Sequence, residues 1–226
     1  MAQTSINAII GFSLKNIIPN KKQLLTSIII GMMLPDLDFI IEYIINQLNF
    51  INYQLHNSLF HNIFIIPFLA LLMLIYLEYK NKDKIIVTGI SIGMTIHIIL
   101  DVITMQSIGL LFPLFDVSQN FNLKEYFGIT INKTYQHILY SFDFLFFRIY
   151  GWLLIEQIIL NPKNNSYLIK KIKLWMKAEL YIFLLLILFI YFGVNDLQFT
   201  NIYGLLYIPS FIFALYVTYK MRKTLN

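Results

Sequence analysis

Residues 24–46, LLTSIIIGMMLPDLDFIIEYIIN, form an apolar run that also carries three acidic residues, Asp36, Asp38 and Glu42. About 20 apolar residues cross the ~30 Å hydrocarbon core of a bilayer as a helix rising 1.5 Å per residue. An ionisable side chain at mid-bilayer costs at least ~2.5–3.5 kcal/mol on insertion scales and therefore marks a functional position by default. This stretch thus predicts a membrane helix with a site inside it.

The composition of the whole chain is that of a membrane protein. Of its 226 residues, 58% are hydrophobic and 13% are charged, whereas soluble domains average about 25% charged residues. The mean hydropathy is +0.67. No cysteine is present, which excludes disulfides, thiolate catalysis and cysteine-bound zinc. Any transition-metal site must therefore use His, Asp or Glu.

Apolar runs near 20 residues predict six membrane spans with mostly short polar connectors between them. These runs cover residues 24–46, 59–79, 85–105, 143–160, 178–194 and 202–219. We therefore predict an all-α fold, a polytopic transmembrane helical bundle of about six spans. Residues 1–115 carry the polar motifs and residues 116–226 form a C-terminal transmembrane half, and we expect both to belong to one integral membrane domain.

Basic residues collect on one side of the six predicted spans. They lie mainly within 15–22, 80–84, 163–177 and 220–223, at the same ends of alternating spans. Since cytoplasmic loops carry an excess of Lys and Arg, both termini are predicted to be cytoplasmic. The net charge of +5 then reflects topology, and no nucleic-acid partner is expected. The first residues have neither a basic n-region nor a small-residue cleavage site, so no removable signal peptide is predicted.

Histidine is rare in this chain, and three of its four histidines lie beside or within the second and third spans. His56 and His61 come from LHNSLFHN, residues 55–62, at the start of span two. His97 lies in span three, four residues before Asp101. Residues four apart in a helix are separated by only about 40° around its axis, so this pair shares one face.

The depths of these groups in the membrane agree. Counted at 1.5 Å per residue from the cytoplasmic ends of their spans, Asp36 and His97 both lie roughly 18 Å deep. His56 and His61 come at the outer end of span two. We therefore expect one cluster in the outer half of the membrane, formed by Asp36, Asp38, His56, His61, His97 and Asp101.

Several of these residues also have a purely structural explanation. Asp36 follows Pro35, so it could cap a second half-helix. His56 could be a solvated loop residue, and His61 could bond a backbone carbonyl near the interface. His97 and Asp101 could pair with each other. As a set, however, imidazole and carboxylate are the ligands expected for zinc, manganese or iron rather than for magnesium or calcium alone.

Other polar residues in the apolar runs have a local explanation. Glu156 and Glu179 are expected to reach water or a basic partner near span ends. Asp143 is expected to pair with Arg148, and His137 is expected to lie in a loop.

Three motifs in order carry a resemblance to a known family: GMMLPDLD (31–38), HNSLFH (56–61) and GMTIHIILDVITMQSIGLLFP (93–113). Over residues 1–115 the chain resembles the membrane-bound metal-dependent hydrolase family (YdjM-like, inner-membrane-associated). That family has PD-x-D, HR-x-x-x-H-S and H-x-x-x-D motifs, the last followed by a Thr and an apolar stretch ending in Pro. The resemblance implies a metal or active-site role for Asp36, Asp38, His56, His61, His97 and Asp101, with Thr104 and Pro113 as matching neighbours.

The chain departs from the family pattern at three asparagines. Asn7 stands where members often have His, Asn57 replaces the Arg of the second motif, and Asn62 replaces its Ser. Losing Arg removes a bidentate donor suited to phosphate or carboxylate, so either the substrate is held differently or activity is weakened. Asn7 could still offer an amide oxygen.

The resemblance and the residues together predict metal-assisted hydrolysis. One or two divalent ions, zinc or manganese, held by the His/Asp set would lower the pKa of a bound water toward about 7, with Asp38 or Glu42 as general base. An outer-half site favours a membrane lipid or other amphiphilic substrate, an ester or phosphoester. The resemblance implies an integral protein of the cytoplasmic (inner) membrane of a prokaryote. Protein partners are left open.

Two alternatives come from other functional classes. Intramembrane Asp and His also mark ion pathways, but the cytoplasmic halves of spans one and three, LLTSIII (24–30) and IIVTGISIG (85–93), offer only small hydroxyls and glycines. The second alternative is an inactive membrane scaffold that keeps the fold. The departures from the family pattern at Asn7 and Asn57 favour this alternative.

Overall fold

The computed structural model describes residues 3–48, 58–104, 108–114, 132–160 and 166–225. Its helices confirm the predicted all-α bundle. They are α1 (Thr4–Ser13), α2 (Leu24–Met33), α3 (Leu37–Gln47), α4 (Ile65–Tyr79), α5 (Ile85–Ile103), α6 (Lys133–Leu160), α7 (Ser166–Tyr191) and α8 (Asp196–Lys220).

Five helical segments in the described ranges are long and apolar enough to cross a membrane. They are Leu24–Gln47, in which a 3-10 turn at Leu34–Asp36 joins α2 to α3, and the helices α5, α6, α7 and α8. The second predicted span, 59–79, forms only α4 as a helix, whose 15 residues reach about 22 Å at 1.5 Å per residue. That is shorter than the ~30 Å hydrocarbon core.

The short α4 results from a non-helical turn, residues 58–64, that precedes it and carries His61. We call this segment the His61 turn. The Asn62 amide donates to the carbonyls of Ser58 and Leu59, at 3.0 and 2.6 Å, and its Oδ1 accepts from the backbone N–H of Ile65 at 2.8 Å. This side chain offers the backbone an alternative to helical bonds. The helix therefore begins at Ile65, and His61 stays on the turn.

Helices α2 and α5 pack with their backbones in near contact. A Cβ added at Gly93 would lie 2.2 Å from the carbonyl oxygen of Ile28, and one at Gly89 would lie 2.5 Å from Cβ of Ser27. Gly31 meets the Ile90 carbonyl from the other helix in the same way. Small residues permit such close approach between membrane helices. This packing holds the Asp36 and His97 segments side by side.

The C-terminal half forms an aromatic core between α6, α7 and α8. Phe144, Phe147, Phe199 and Phe211 are fully buried there, and Phe144 meets the ring of Tyr203 edge-on at 5.6 Å. Helix α1 packs against α2 and α6 and so joins this core to the first half of the chain.

Helices α6 and α7 begin earlier than predicted, at Lys133 and Ser166 rather than at 143 and 178. The predicted spans follow the apolar runs and stop where charges begin. A helix can continue past that point, because its long basic side chains reach the membrane–water interface. His137 therefore lies in α6 rather than in a loop, with its ring stacked on Phe199 at 4.0 Å. Glu179 lies in mid-helix and is buried, so the expectation that it reaches water was wrong.

Asp143 binds the start of α1. The expectation that it pairs with Arg148 along its own helix is therefore corrected. Its Oδ1 accepts from the backbone N–H of Ser5 at 3.0 Å and from the Ser5 hydroxyl. The first N–H groups of a helix have no partner within the helix and favour a negative charge. Asp143 therefore anchors α1 to α6, and α1 in turn reaches the predicted site.

Candidate metal centre

Four buried side chains converge where α2, the His61 turn and α5 meet. His61 Nε2 and His97 Nε2 lie 3.1 Å apart. Asp101 Oδ2 lies 3.1 Å from Nε2 of His97 and 3.2 Å from Nε2 of His61. Asp36 Oδ1 lies 3.8 Å from Nε2 of His97. Ligand atoms of Asp36, His61 and His97 all lie within 4.8 Å of one another, so this group could hold a metal ion.

The ring of His97 is oriented from behind by α2 and α1. Its Nδ1 lies 2.6 Å from the Met32 carbonyl oxygen. A carbonyl can only accept, so Nδ1 carries the hydrogen and donates it. In the neutral ring Nε2 then presents a lone pair to the cluster.

Asn7, on α1, gives the same ring a second partner. Its amide lies 2.9 Å from Nδ1 of His97, and its Oδ1 is buried with no hydrogen-bond partner among the described residues. The two ends of an amide exchange by rotation about χ2. If the amide were rotated, Oδ1 would share with the Met32 carbonyl the one hydrogen that Nδ1 carries, and the amide NH₂ would take the unpartnered position. The asparagine therefore supports His97 as an outer partner.

The ring of His61 is oriented by Asp38. Nδ1 of His61 lies 2.9 Å from Asp38 Oδ2, and a carboxylate accepts the Nδ1 hydrogen. Both oxygens of Asp38 also accept from the backbone N–H of Phe60, at 2.9 and 3.0 Å. A carboxylate that holds a histidine by its far nitrogen is the usual outer partner of a metal ligand. This geometry favours a positioning role for Asp38.

The two orienting contacts leave an unbalanced centre. With Nδ1 protonated in both rings, two Nε2 lone pairs face each other and face the oxygen of Asp101, and Asp36 adds another oxygen. When both rings are neutral, all of these atoms are acceptors, and their side chains are buried. These acceptors repel one another unless a positive charge lies between them, supplied by a proton on a ring nitrogen or by a metal ion. The donor set and its geometry therefore fit a divalent metal ion.

Asp36 is held by α1 and α8 rather than by its own helix. Its Oδ2 accepts from the hydroxyl of Thr4 at 2.6 Å, and that hydroxyl also contacts the phenol of Tyr207. The Asp36 side chain makes no capping hydrogen bond to α3. The alternative that Asp36 caps a half-helix is therefore wrong, and one carboxylate oxygen remains turned toward His97.

The remaining predicted site residues lie around this centre or outside the part of the chain that the structure describes. Glu42 is half-buried one turn beyond Asp38 on α3 and interacts electrostatically with Tyr140. The Thr104 hydroxyl donates to the Asp101 carbonyl at 3.3 Å, at the end of α5. His56 and Asn57 lie outside the described residues, so their predicted roles stay predictions, as do the ligand roles of the clustered residues.

Sequence reasoning missed the contribution of α1 beyond Asn7. Thr4 and Ser5 are buried and reach Asp36 and Asp143, respectively. Polar residues in the first turn of an otherwise apolar helix were the available signal. The spacing of Gly89 and Gly93, four residues apart on one face of α5, was a second signal for the close packing that brings the ligands together.

Comparison with known proteins supports the resemblance. The model of the YdjM inner membrane protein family matches residues 3–202. No curated protein and no solved structure matches the chain. The match extends well beyond residues 1–115, so α6 and α7 belong to the family pattern together with the three motifs. The chain therefore belongs to the YdjM inner membrane protein family.

Proposed function

We propose that this protein is a membrane hydrolase that depends on a divalent metal ion, zinc or manganese. The observation that carries the proposal is the buried convergence of Nε2 of His61, Nε2 of His97 and the oxygens of Asp36 and Asp101. Imidazole and carboxylate together suit these metals. The two rings are also held in place from behind, as in catalytic metal sites.

Asp36, His61 and His97 would hold the ion. When bound, the ion would lower the pKa of a coordinated water toward about 7 and polarise the scissile group. Asp101 has one oxygen against both imidazoles and is the carboxylate best placed to take a proton from the attacking water. Asp38 already accepts from Phe60 and His61, which favours positioning over the general-base role predicted for it. Glu42 remains the alternative base.

The substrate we propose is an amphiphilic lipid in the outer half of the bilayer. Water would add across its ester or phosphoester bond, giving an acid and an alcohol. Asp36, His97 and Asp101 of the centre lie on segments long and apolar enough to span a membrane, where the local solvent would be lipid. No arginine of the second motif is available to clamp a phosphate, since that position is Asn57. This favours a substrate held by its apolar part as well as by its head.

A transporter is disfavoured by the packing between the centre and the N-terminal ends of α2 and α5. Helices α2 and α5 approach there through Gly31, Gly89 and Gly93, where an added Cβ would lie closer to backbone atoms of the other helix than van der Waals contact allows. A permeation path between these two helices would need polar groups that continue to the other face. An inactive scaffold is the outcome that the following experiment separates from a hydrolase.

The test of the proposed function is hydrolysis by the purified protein in lipid nanodiscs. With a fluorogenic phospholipid as probe, we expect turnover that a chelator removes and that added Zn²⁺ or Mn²⁺ restores. Asp101→Asn is expected to lower kcat at least about a hundredfold, as loss of a general base does, with a smaller loss of bound metal. Absence of turnover with metal bound would favour the scaffold, and turnover unaffected by chelation would contradict metal dependence.

We further propose that both termini face the cytoplasm, with residues 58–79, the turn and α4 together, returning the chain across the membrane. The basic residues flank alternating ends of the helices, and loops of that kind stay inside. Reporter fusions after Lys84 and after Lys173 are expected to read cytoplasmic, and a fusion within 115–125 is expected to read external. The reverse pattern would place the metal centre in the inner half of the bilayer and contradict the proposed substrate location.

A further inference from the structure

An apolar groove of about 530 Å³ is lined in part by residues that follow His97 and Asp101 directly in the chain. We call it the acyl groove. Its defining residues are Ile63 of the His61 turn, Pro67 of α4, Leu110, and Ile98, Ile99 and Val102 of α5. The backbone N–H of Ile63 donates to the Leu110 carbonyl at 3.0 Å, which ties the 108–114 segment to the turn. The walls of the groove are therefore connected to the element that carries His61.

The acyl groove and the metal centre are adjoining faces of the same elements. Ile98 follows His97 directly, and Val102 follows Asp101. Neighbouring residues of a helix point about 100° apart, so α5 presents its ligands on one side and the groove on the next. Ile63 stands two residues after His61. A molecule seated in the groove would thus have one end at the cluster.

The groove is continuous with the surface that meets the hydrocarbon of the bilayer. Ile99 is 51% exposed and Ile103, which also lines the groove, is 66% exposed, both on a helix of spanning length. Polar side chains are nearly absent from the lining. The hydroxyl of Thr95 already donates to the Ser91 carbonyl at 2.8 Å. A peptide or a sugar would leave its polar groups without partners there, whereas a hydrocarbon chain would not.

We propose that the acyl groove binds one acyl chain of a bilayer lipid and so sets the head-end bond of that lipid at the metal centre. This inference rests on the proposed hydrolase function for its consequence, but chain binding can be measured without turnover. Because the groove would position the substrate by its acyl chain, it would compensate in part for the arginine that Asn57 replaces. Short esters without such a chain would react at the same centre without this positioning.

The experiment uses the full chain in nanodiscs of phosphatidylglycerol in which a fraction of the lipid carries a photoactivatable acyl chain. Irradiation followed by peptide mapping is expected to label residues 95–103 and 63–67 several-fold more than the rest of the lipid-facing surface. Ile99→Trp adds bulk at the rim of the groove and is expected to remove this enrichment. Ile92→Trp is the matched control, because Ile92 is exposed on the same face of α5, two turns away and outside the groove.

The kinetic arm compares a long-chain fluorogenic phospholipid with a water-soluble short-chain ester. Ile99→Trp is expected to raise KM for the long-chain probe at least about tenfold, the effect of leaving about two methylenes unburied. KM for the short-chain ester and the metal content should stay as in the wild type. Failure of hydrolysis with labelling intact would reject the proposed function and leave the chain site standing.

Uniform labelling of all lipid-facing helices, or labelling that Ile99→Trp does not change, would overturn the acyl groove. So would an oligomer that Ile99→Trp dissociates, because a second copy would then be the occupant. An equal loss of both substrates in Ile99→Trp would point to damage at the metal centre, and it would reject a role in chain positioning.

Discussion

His97→Ala is expected to abolish stoichiometric metal binding while the helices still insert and fold. The change removes one of two facing Nε2 atoms, 3.1 Å apart, and so removes a ligand rather than an outer partner. Loss of an outer partner already weakens metal affinity 10–100-fold, so loss of the ligand should exceed about a hundredfold. Elemental analysis of the purified protein beside the wild type measures this directly.

The control for this variant is His137→Ala. That histidine lies on α6, packed on Phe199 and 3.7 Å from Asp196, away from the cluster. It should leave the metal content unchanged. Equal metal content in wild type and His97→Ala, or no metal in the wild type after loading with Zn²⁺ or Mn²⁺, would contradict the proposed centre.

Asp36→Asn extends the same test, because Asn caps helices about as well as Asp. A capping role would make this variant nearly silent. If Asp36 is a ligand, the substitution removes the negative charge that faces Nε2 of His97 at 3.8 Å. Bound metal should then fall as it does in His97→Ala. The structure leads us to expect the loss, since Asp36 bonds Thr4 and makes no cap.

Gly93→Val is expected to separate α2 from α5, to lower the unfolding temperature in detergent and to release the metal. Overpacking in a core typically costs about 1–3 kcal/mol and occasionally more. The upper part of that range applies here, because the first added atom would lie 2.2 Å from a backbone oxygen and 2.8 Å from the Met32 nitrogen. Backbone atoms cannot move aside as the end of a side chain can.

Ile92→Val is the matched control for this variant, because Ile92 is the preceding residue on α5 and faces away from α2, 41% exposed. It should leave both the unfolding temperature and the metal content near the wild-type values. A Gly93→Val protein that melts at the wild-type temperature and keeps its metal would show that the centre does not depend on this contact.

The sequence predicts the helical class and the residues of the centre because both depend on local properties. Hydropathy depends on runs of side chains, and the intramembrane charges at Asp36, His97 and Asp101 are conspicuous against those runs. The level depth of Asp36 and His97 also follows from a constant rise per residue. Hydropathy alone did not predict how far α6 and α7 extend, because helices continue past the last apolar residue into the interface.

The sequence by itself therefore determined an all-α membrane protein with a His/Asp cluster on its first and third spans. Only the tertiary structure decided which of these residues face the cluster and which support it. Asp38 turned out to hold His61, while Asp36 is held by Thr4. These roles depend on contacts between groups far apart in the chain, and no periodicity within a segment encodes them. The close α2–α5 packing that allows the contacts depends in the same way on matching two surfaces, so it emerges only when the helices meet.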